Sequence, residues 1–253
     1  MIFSRNTVKI LDSYIDTVNW ADILNIIMHW SCTKKSSYIC ICNVHSIITA
    51  TQNTYFRQVI NNADMATPDG APIAWMLRRL GQTDQQRING PDLMWRYCEQ
   101  AQSRAEPIFF YGGSENTLAL LKEKLLAAFP QLIVGGAISP PYRDLSAEED
   151  AVIVAEINAS SAGVVFVGLG CPKQELWMAA HRGRINSVMI GVGAAFDYHA
   201  GTIKRAPQWM QDFYLEWLFR LAAEPRRLWR RYLVTNTLFT IGVVKQLLRG
   251  NTN

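Results

Sequence analysis

Three apolar runs that each stop at glycine constrain this chain most. They are Pro107-Ile108-Phe109-Phe110-Tyr111-Gly112-Gly113-Ser114, Gly163-Val164-Val165-Phe166-Val167-Gly168-Leu169-Gly170 and Ser187-Val188-Met189-Ile190-Gly191-Val192-Gly193. Runs this short and this continuous read as strands buried on both faces. Helical patterns lie between them. One spans Glu115 to Phe129, one opens at Ser146-Ala147-Glu148-Glu149 as a capping box, and one runs from Lys173 to Arg182 behind Pro172. Strands alternating with helices give an α/β fold class: a Rossmann-like, mostly parallel sheet with helices on both faces. Ligands in such sheets bind beyond the carboxyl ends of the strands, where the glycine turns sit.

The upstream part is less regular. Residues 1–19 read as irregular, and Trp20 to Trp30 as an amphipathic helix through Ile23, Ile26, Ile27 and Trp30. Tyr38 to Val44 reads as a buried strand and Val44 to Asn62 as one helix. Met65-Ala66 is a short strand before the turn Pro68-Asp69-Gly70, and Ala71 to Leu80 is a helix closed by Gly81. A further helix follows the loop Arg87-Ile88-Asn89-Gly90, with Pro91 in its first turn and its end near Arg104. Ile133-Val134 starts another short strand, and Pro140-Pro141-Tyr142 is a rigid loop.

The pattern changes at Gly201. Arg205-Ala206-Pro207 leads into Trp209, Phe213, Trp217 and Leu221 at four-residue steps, one helix that Pro225 ends. In the next helix Leu228, Trp229, Tyr232 and Leu233 gather on one side, and Arg226, Arg227, Arg230 and Arg231 on the other. The chain therefore divides into a core, residues 1–204, and a C-terminal helical appendage, residues 205–253. The two-sided pattern, with tryptophans beside arginines, favours an interfacial membrane helix over a solvated face. A nucleic-acid role has no accompanying motif.

The 253 residues are 49% hydrophobic with a net charge of +4, enough for one sizeable core without staples. Five cysteines are an odd number without framework or zinc spacing, which suits reduced, buried thiols and a cytoplasmic setting. No positively charged N-terminal stretch precedes a long apolar run, so no signal peptide is expected, and no apolar run is long enough to span a bilayer. The four histidines are scattered, and no Asp-x-Asp pair appears, so no catalytic metal and no other cofactor is expected.

Each candidate motif has a plain structural alternative. Pro68-Asp69-Gly70 is a common turn, yet it fixes a carboxylate by backbone, as a general base requires. Gly112 and Gly113 can bring backbone amides to a phosphate at a helix N-terminus. Gly168-Leu169-Gly170-Cys171-Pro172-Lys173 offers the same with a cation, but Lys173 stands where a dinucleotide fingerprint needs its third glycine. That substitution weighs against the alternative of a nicotinamide-dependent oxidoreductase. Glu175 in the same helix turn can simply complement the helix dipole. Arg87 can clamp a diphosphate or form a surface ion pair. A non-catalytic membrane-peripheral protein remains the alternative of a different class.

Read together, these residues resemble the WecG/TagA/CpsF glycosyltransferases of bacterial surface-polysaccharide assembly. The resemblance spans residues 38–231. It is carried by Asn43-Val44-His45, Ala63-Asp64 with Pro68-Asp69-Gly70, and Arg87-x-Asn89-Gly90-x-Asp92-Leu93. Gly168-Leu169-Gly170-x-Pro172-Lys173-Gln174-Glu175, Gly191-Val192-Gly193-Ala194-x-Phe196-Asp197 and Arg205-Ala206-Pro207 complete it. It implies metal-independent, inverting transfer of a sugar from a UDP-sugar donor to a polyprenyl-diphosphate-linked acceptor at the cytoplasmic membrane face, within exopolysaccharide or cell-envelope glycan synthesis. It implies Asp69 as the base. Asn43, Arg87 and Gln174 would hold substrate, joined by Gly112, Gly113, Gly168, Lys173 and Arg205. Arg220, Arg227 and Arg230 of the membrane-binding appendage would meet the acceptor diphosphate and close the site. The expected partners are the two substrates and an anionic membrane surface. No nucleic acid is expected, and a homo-oligomer is left open. Relatives often carry threonine two residues before the asparagine; this chain has Ile41.

Overall fold

The computed structural model describes residues 5–250. The chain opens with a hairpin of β1 (Thr7–Ile10) and β2 (Ser13–Asp16), paired antiparallel with Ile10 opposite Ser13. This corrects the expectation of an irregular start for all but residues 1–4, which lie outside the described residues. Leu11 makes the turn with φ 52°, a left-handed backbone that no glycine or asparagine announces.

Helix α1 (Trp20–Cys32) follows, capped by Asn19, and leads to β3 (Ser37–Cys42). The single helix expected over 44–62 is two: α2 (Val44–Gln52) and α3 (Thr54–Asn61). Asn53 separates them. Its backbone is extended and its side chain accepts the Phe56 amide at 2.9 Å, so it caps the second helix instead of continuing the first. Then come β4 (Met65–Pro68), α4 (Ala71–Arg79) and α5 (Gly90–Ser103).

The regular half alternates as its sequence predicts: β5 (Ile108–Gly112), α6 (Glu115–Ala128), β6 (Val134–Ile138), α7 (Ala147–Ala159), β7 (Val164–Gly168), α8 (Lys173–His181) and β8 (Val188–Gly191); a short helix not expected from the sequence, α9 (Ala195–Ala200), follows. The capping box of α7 forms, with Ser146 and Glu149 exchanging hydrogen bonds.

Six strands form one sheet in the order β4-β3-β8-β7-β5-β6, and every neighbouring pair is parallel. Alternate residues sort to opposite faces, as strand geometry requires. Ile39 and Ile41 of β3 pack with α1, α5 and α6, whereas Tyr38, Cys40 and Cys42 pack with α2, α3 and α8. With both faces covered, the carboxyl edge is left for a ligand.

The tail departs from its sequence pattern. The four-residue steps do not make one helix: α10 (Gln208–Asp212) stops, Tyr214 takes φ 62°, and α11 (Glu216–Ala223) begins anew. Helix α12 (Pro225–Leu248) starts at the expected proline. Its buried stripe is Leu228, Thr235, Phe239 and Val243, which packs toward α2, while Trp229 and Leu233 stay exposed at 55% and 62%. The expected clean division into an apolar and an arginine side is therefore replaced by two apolar stripes. Gln246 pins the helix end, donating to the Lys9 carbonyl and accepting the Leu11 amide, both at 2.8 Å.

Candidate active site

The cleft lies beyond the carboxyl ends of β3, β4, β5, β7 and β8 and encloses about 1490 Å³. Pockets for a single drug-sized ligand measure roughly 300–1,000 Å³, so this open cleft is larger than one such ligand needs.

Asn43 stands at the end of β3 and caps α2, its side-chain oxygen accepting the Ser46 amide at 3.2 Å. The cap commits the carbonyl and leaves the amide NH₂ as the group available to a ligand at the cleft wall. Ile41, two residues earlier, packs in the core and offers no hydrogen bond there.

Asp69 follows β4. Its backbone amide donates to the Cys42 carbonyl at 2.8 Å, which ties the turn to β3. Gly70 takes φ 90° and starts α4. Burial pushes the Asp69 carboxyl above the ordinary carboxylate range; Arg87 opposes this and Glu216 adds to it. Arg87 reaches Asp69 Oδ1 through Nε at 3.3 Å and Glu216 Oε2 through Nη2 at 2.7 Å. The Ile88 amide donates to the Pro68 carbonyl at 2.9 Å, so the arginine loop and the aspartate turn are one unit.

The glycine turns approach one another closely. Gly113 and Gly168 line the cleft; Gly112 sits just behind them. A Cβ on Gly112 would lie 2.7 Å from the Gly168 backbone, and one on Gly168 would lie 2.6 Å from the Phe196 ring. Gln174 is buried. Its carbonyl accepts the amides of Gly170 at 3.2 Å and Gly193 at 3.1 Å, and its amide donates to Glu175 Oε1 at 3.0 Å. It thus braces the turns after β7 and β8 and keeps one N–H for a ligand. Lys173 is exposed on the cleft wall.

The arginines divide. Arg220 and Arg227 line the cleft; Arg230 is exposed outside it, and Arg231 lines it instead. Arg227 and Arg231 are one helical turn apart, the spacing that shares a face. Arg205 stands behind the cleft, bonded to Asp92 at 2.5 Å and Asn89 at 3.4 Å at the start of α5.

Several groups at the site carry no role from their sequence pattern. Glu216 meets Arg87 from α11. His45 lines the cleft and is kept neutral, its pKa brought down to about 4 by burial with Arg231 adding to the effect. Glu175 is almost fully buried, and its Oε2 has no hydrogen-bond partner. Burial pushes its carboxyl up to about 7. Among the described residues no group of three or more His, Cys, Asp or Glu is placed to hold a metal ion.

The chain matches the family model described as the glycosyl transferase WecG/TagA/CpsF family over residues 8–253. It is also 32% identical over 201 residues to an N-acetylglucosaminyldiphosphoundecaprenol N-acetyl-beta-D-mannosaminyltransferase of Bacillus spizizenii. That alignment covers 79% of this chain and 76% of the relative.

Proposed function

The chain belongs to the WecG/TagA/CpsF glycosyltransferase family, and from that premise we propose that it moves N-acetylmannosamine from its UDP-sugar to an N-acetylglucosaminyl diphosphate on a polyprenol, with inversion and without a metal. The observation that carries this reading is Asp69: a desolvated carboxylate, held by Arg87, at the mouth of a cleft rimmed by cations.

In the proposed reaction the acceptor hydroxyl attacks the anomeric carbon of the donor as Asp69 takes its proton. The bond from that carbon to the diphosphate oxygen breaks, and the electron pair leaves on UDP. Lys173, Arg220, Arg227 and Arg231 are the cleft cations set to meet the diphosphate charge of leaving group and acceptor. Asn43 and the remaining N–H of Gln174 orient sugar hydroxyls. Arg230 and Arg205 act at one remove, Arg230 toward the lipid surface and Arg205 in seating the appendage on α5.

The core, residues 1–204, carries the chemistry, and the appendage, residues 205–253, brings it to the lipid. No helix among the described residues is long and apolar enough to cross a membrane. Trp209, Phe213, Trp217, Trp229 and Leu233 are exposed on the tail, as are Arg226, Arg227 and Arg230. That combination suits shallow insertion among anionic headgroups on the cytoplasmic face. The product belongs to a cell-envelope or exopolysaccharide glycan.

The test is mass spectrometry of the lipid product, with UDP-N-acetylmannosamine, UDP-glucose and UDP-glucuronic acid each offered to a short-chain prenyl-diphosphate N-acetylglucosamine. The expected result is one added N-acetylhexosamine from the first donor, β-configured by NMR. Absence of any lipid-linked disaccharide from the panel would contradict the proposal.

A further inference from the structure

Glu216 is the carboxylate that the tail delivers to the base. It opens α11, its side chain is 13% exposed, and it takes the shortest bond that Arg87 makes, 2.7 Å from Nη2. Arg205 Nε stands 3.9 Å from its other oxygen. Asp69 receives only the longer 3.3 Å bond from Arg87 Nε. Charge-assisted N–H···O bonds close to about 2.7–2.9 Å when unopposed, so Arg87 is drawn toward the appendage and away from the aspartate.

We propose that Glu216 is a positioning residue for the base: docked with α11, it keeps Arg87 from closing its fork on Asp69 and so keeps Asp69 basic enough to take the acceptor proton. The inference rests on the reading of Asp69 as the base. A bidentate arginine holds a carboxylate in its ionised form and weakens it as a proton acceptor. With Glu216 on the outer nitrogen, that grip is divided between two carboxylates. Base strength is thereby tied to whether the tail is seated.

The groups facing Asp69 come from every neighbouring element. Arg87 precedes α5, Glu216 and Arg220 belong to α11, Tyr198 to α9 and Cys42 to β3. Burial raises the Tyr198 phenol to about 12 and the Cys42 thiol well above its ordinary range, so both are neutral near pH 7. The remaining charges are two arginines and Glu216. Removing the charge of Glu216 leaves the arginines unopposed, favours ionised Asp69 and lowers its pKa.

The experiment uses the full chain with carbonyl-labelled aspartate, following the Asp69 side-chain carboxyl by NMR against pH. The signal is assigned by its loss in Asp69→Asn. Glu216→Gln is expected to lower the Asp69 midpoint by about 0.5–1 pH unit, and Glu216→Asp to return it toward the original value. The acid limb of kcat/KM should move down with the midpoint, and the plateau kcat should fall because a weaker base accepts the proton less readily. A midpoint that stays in place or rises in Glu216→Gln overturns the inference, even when turnover drops, because a merely structural contact lowers turnover without moving the midpoint. Near-normal turnover in Asp69→Asn overturns the assignment of the base instead, whatever Glu216→Gln does to the midpoint.

Discussion

Glu175 and Asp69 are both carboxyls pushed above their ordinary range, but for different ends. Asp69 has a cation beside it and the cleft in front. Glu175 is almost fully buried, with the Gln174 amide on one oxygen and the Cys171 thiol beside it. Its carboxyl titrates near 7 in the fold against about 4.5 when exposed. Between those values the unfolded chain loses the proton first, so stability falls as pH rises from about 4.5 to about 7 and then levels. Glu175→Gln keeps the shape and removes the titration. We expect it to raise the melting temperature at pH 8, worth on the order of 1–3 kcal/mol, with the gain vanishing near pH 4. Thermal melts of both proteins across that range check the sign. At this scale the sequence is informative for residues fixed by a short turn. Asn43, Asp69, Gln174 and Lys173 each follow a strand, and all reach the cleft. It is silent on Glu216, because a carboxylate in a first helical turn carries the same pattern whether it serves the dipole or an arginine far away in the chain. It also leaves Arg230 and Arg231 undistinguished, since packing against α2 sets the rotation of α12.

Among the elements, the glycine turns do the closest work. Gly112 takes φ 114° with the Gly168 backbone where a Cβ would go, whereas Gly170 takes φ 76° with open space around it. Gly112→Ala therefore combines backbone strain with a clash against main chain that has no room to shift. We expect it to cost about 3 kcal/mol or more. Gly170→Ala meets strain alone, about 1–2 kcal/mol. Urea denaturation of the two variants tests the ordering, and equal losses would contradict the close approach of β5 and β7. The buried strands and their following helices were legible because a continuous apolar run closed by glycine has few alternatives. The hairpin β1–β2 was not. Its strands have four residues each, and its turn depends on Leu11 in a conformation its side chain disfavours. The break at Asn53 had a signal, an asparagine ahead of threonine, but one that competes with an unbroken helical period on both sides.

For the whole molecule, the question is how core and tail cooperate. α12 contributes Phe239 and Val243 to the same core as α2 and α3 and presents a second apolar stripe outward. The two stripes predict separate phenotypes. Serine at both Trp229 and Leu233 should leave the melting temperature nearly unchanged, as exposed substitutions do, and abolish cosedimentation with anionic liposomes. Phe239→Ala should cost about 3 kcal/mol and leave the liposome-binding surface in place. Deleting the chain after Met210 should lose both properties. Exposed stripes reported by sequence periodicity alone cannot be told from buried ones, which is why the tail pattern gave the helix but not its seating. The tail also lends Glu216, Arg220, Arg227 and Arg231 to the cleft, so the proposed lipid contact and the proposed chemistry would meet at one edge of the sheet. The most direct test of the account is Asp69→Asn in paired assays of donor binding and sugar transfer. The account predicts UDP-sugar affinity close to that of the unaltered protein, with transfer to the lipid acceptor reduced roughly 100- to 10,000-fold. Transfer within a few-fold of the unaltered protein would contradict it.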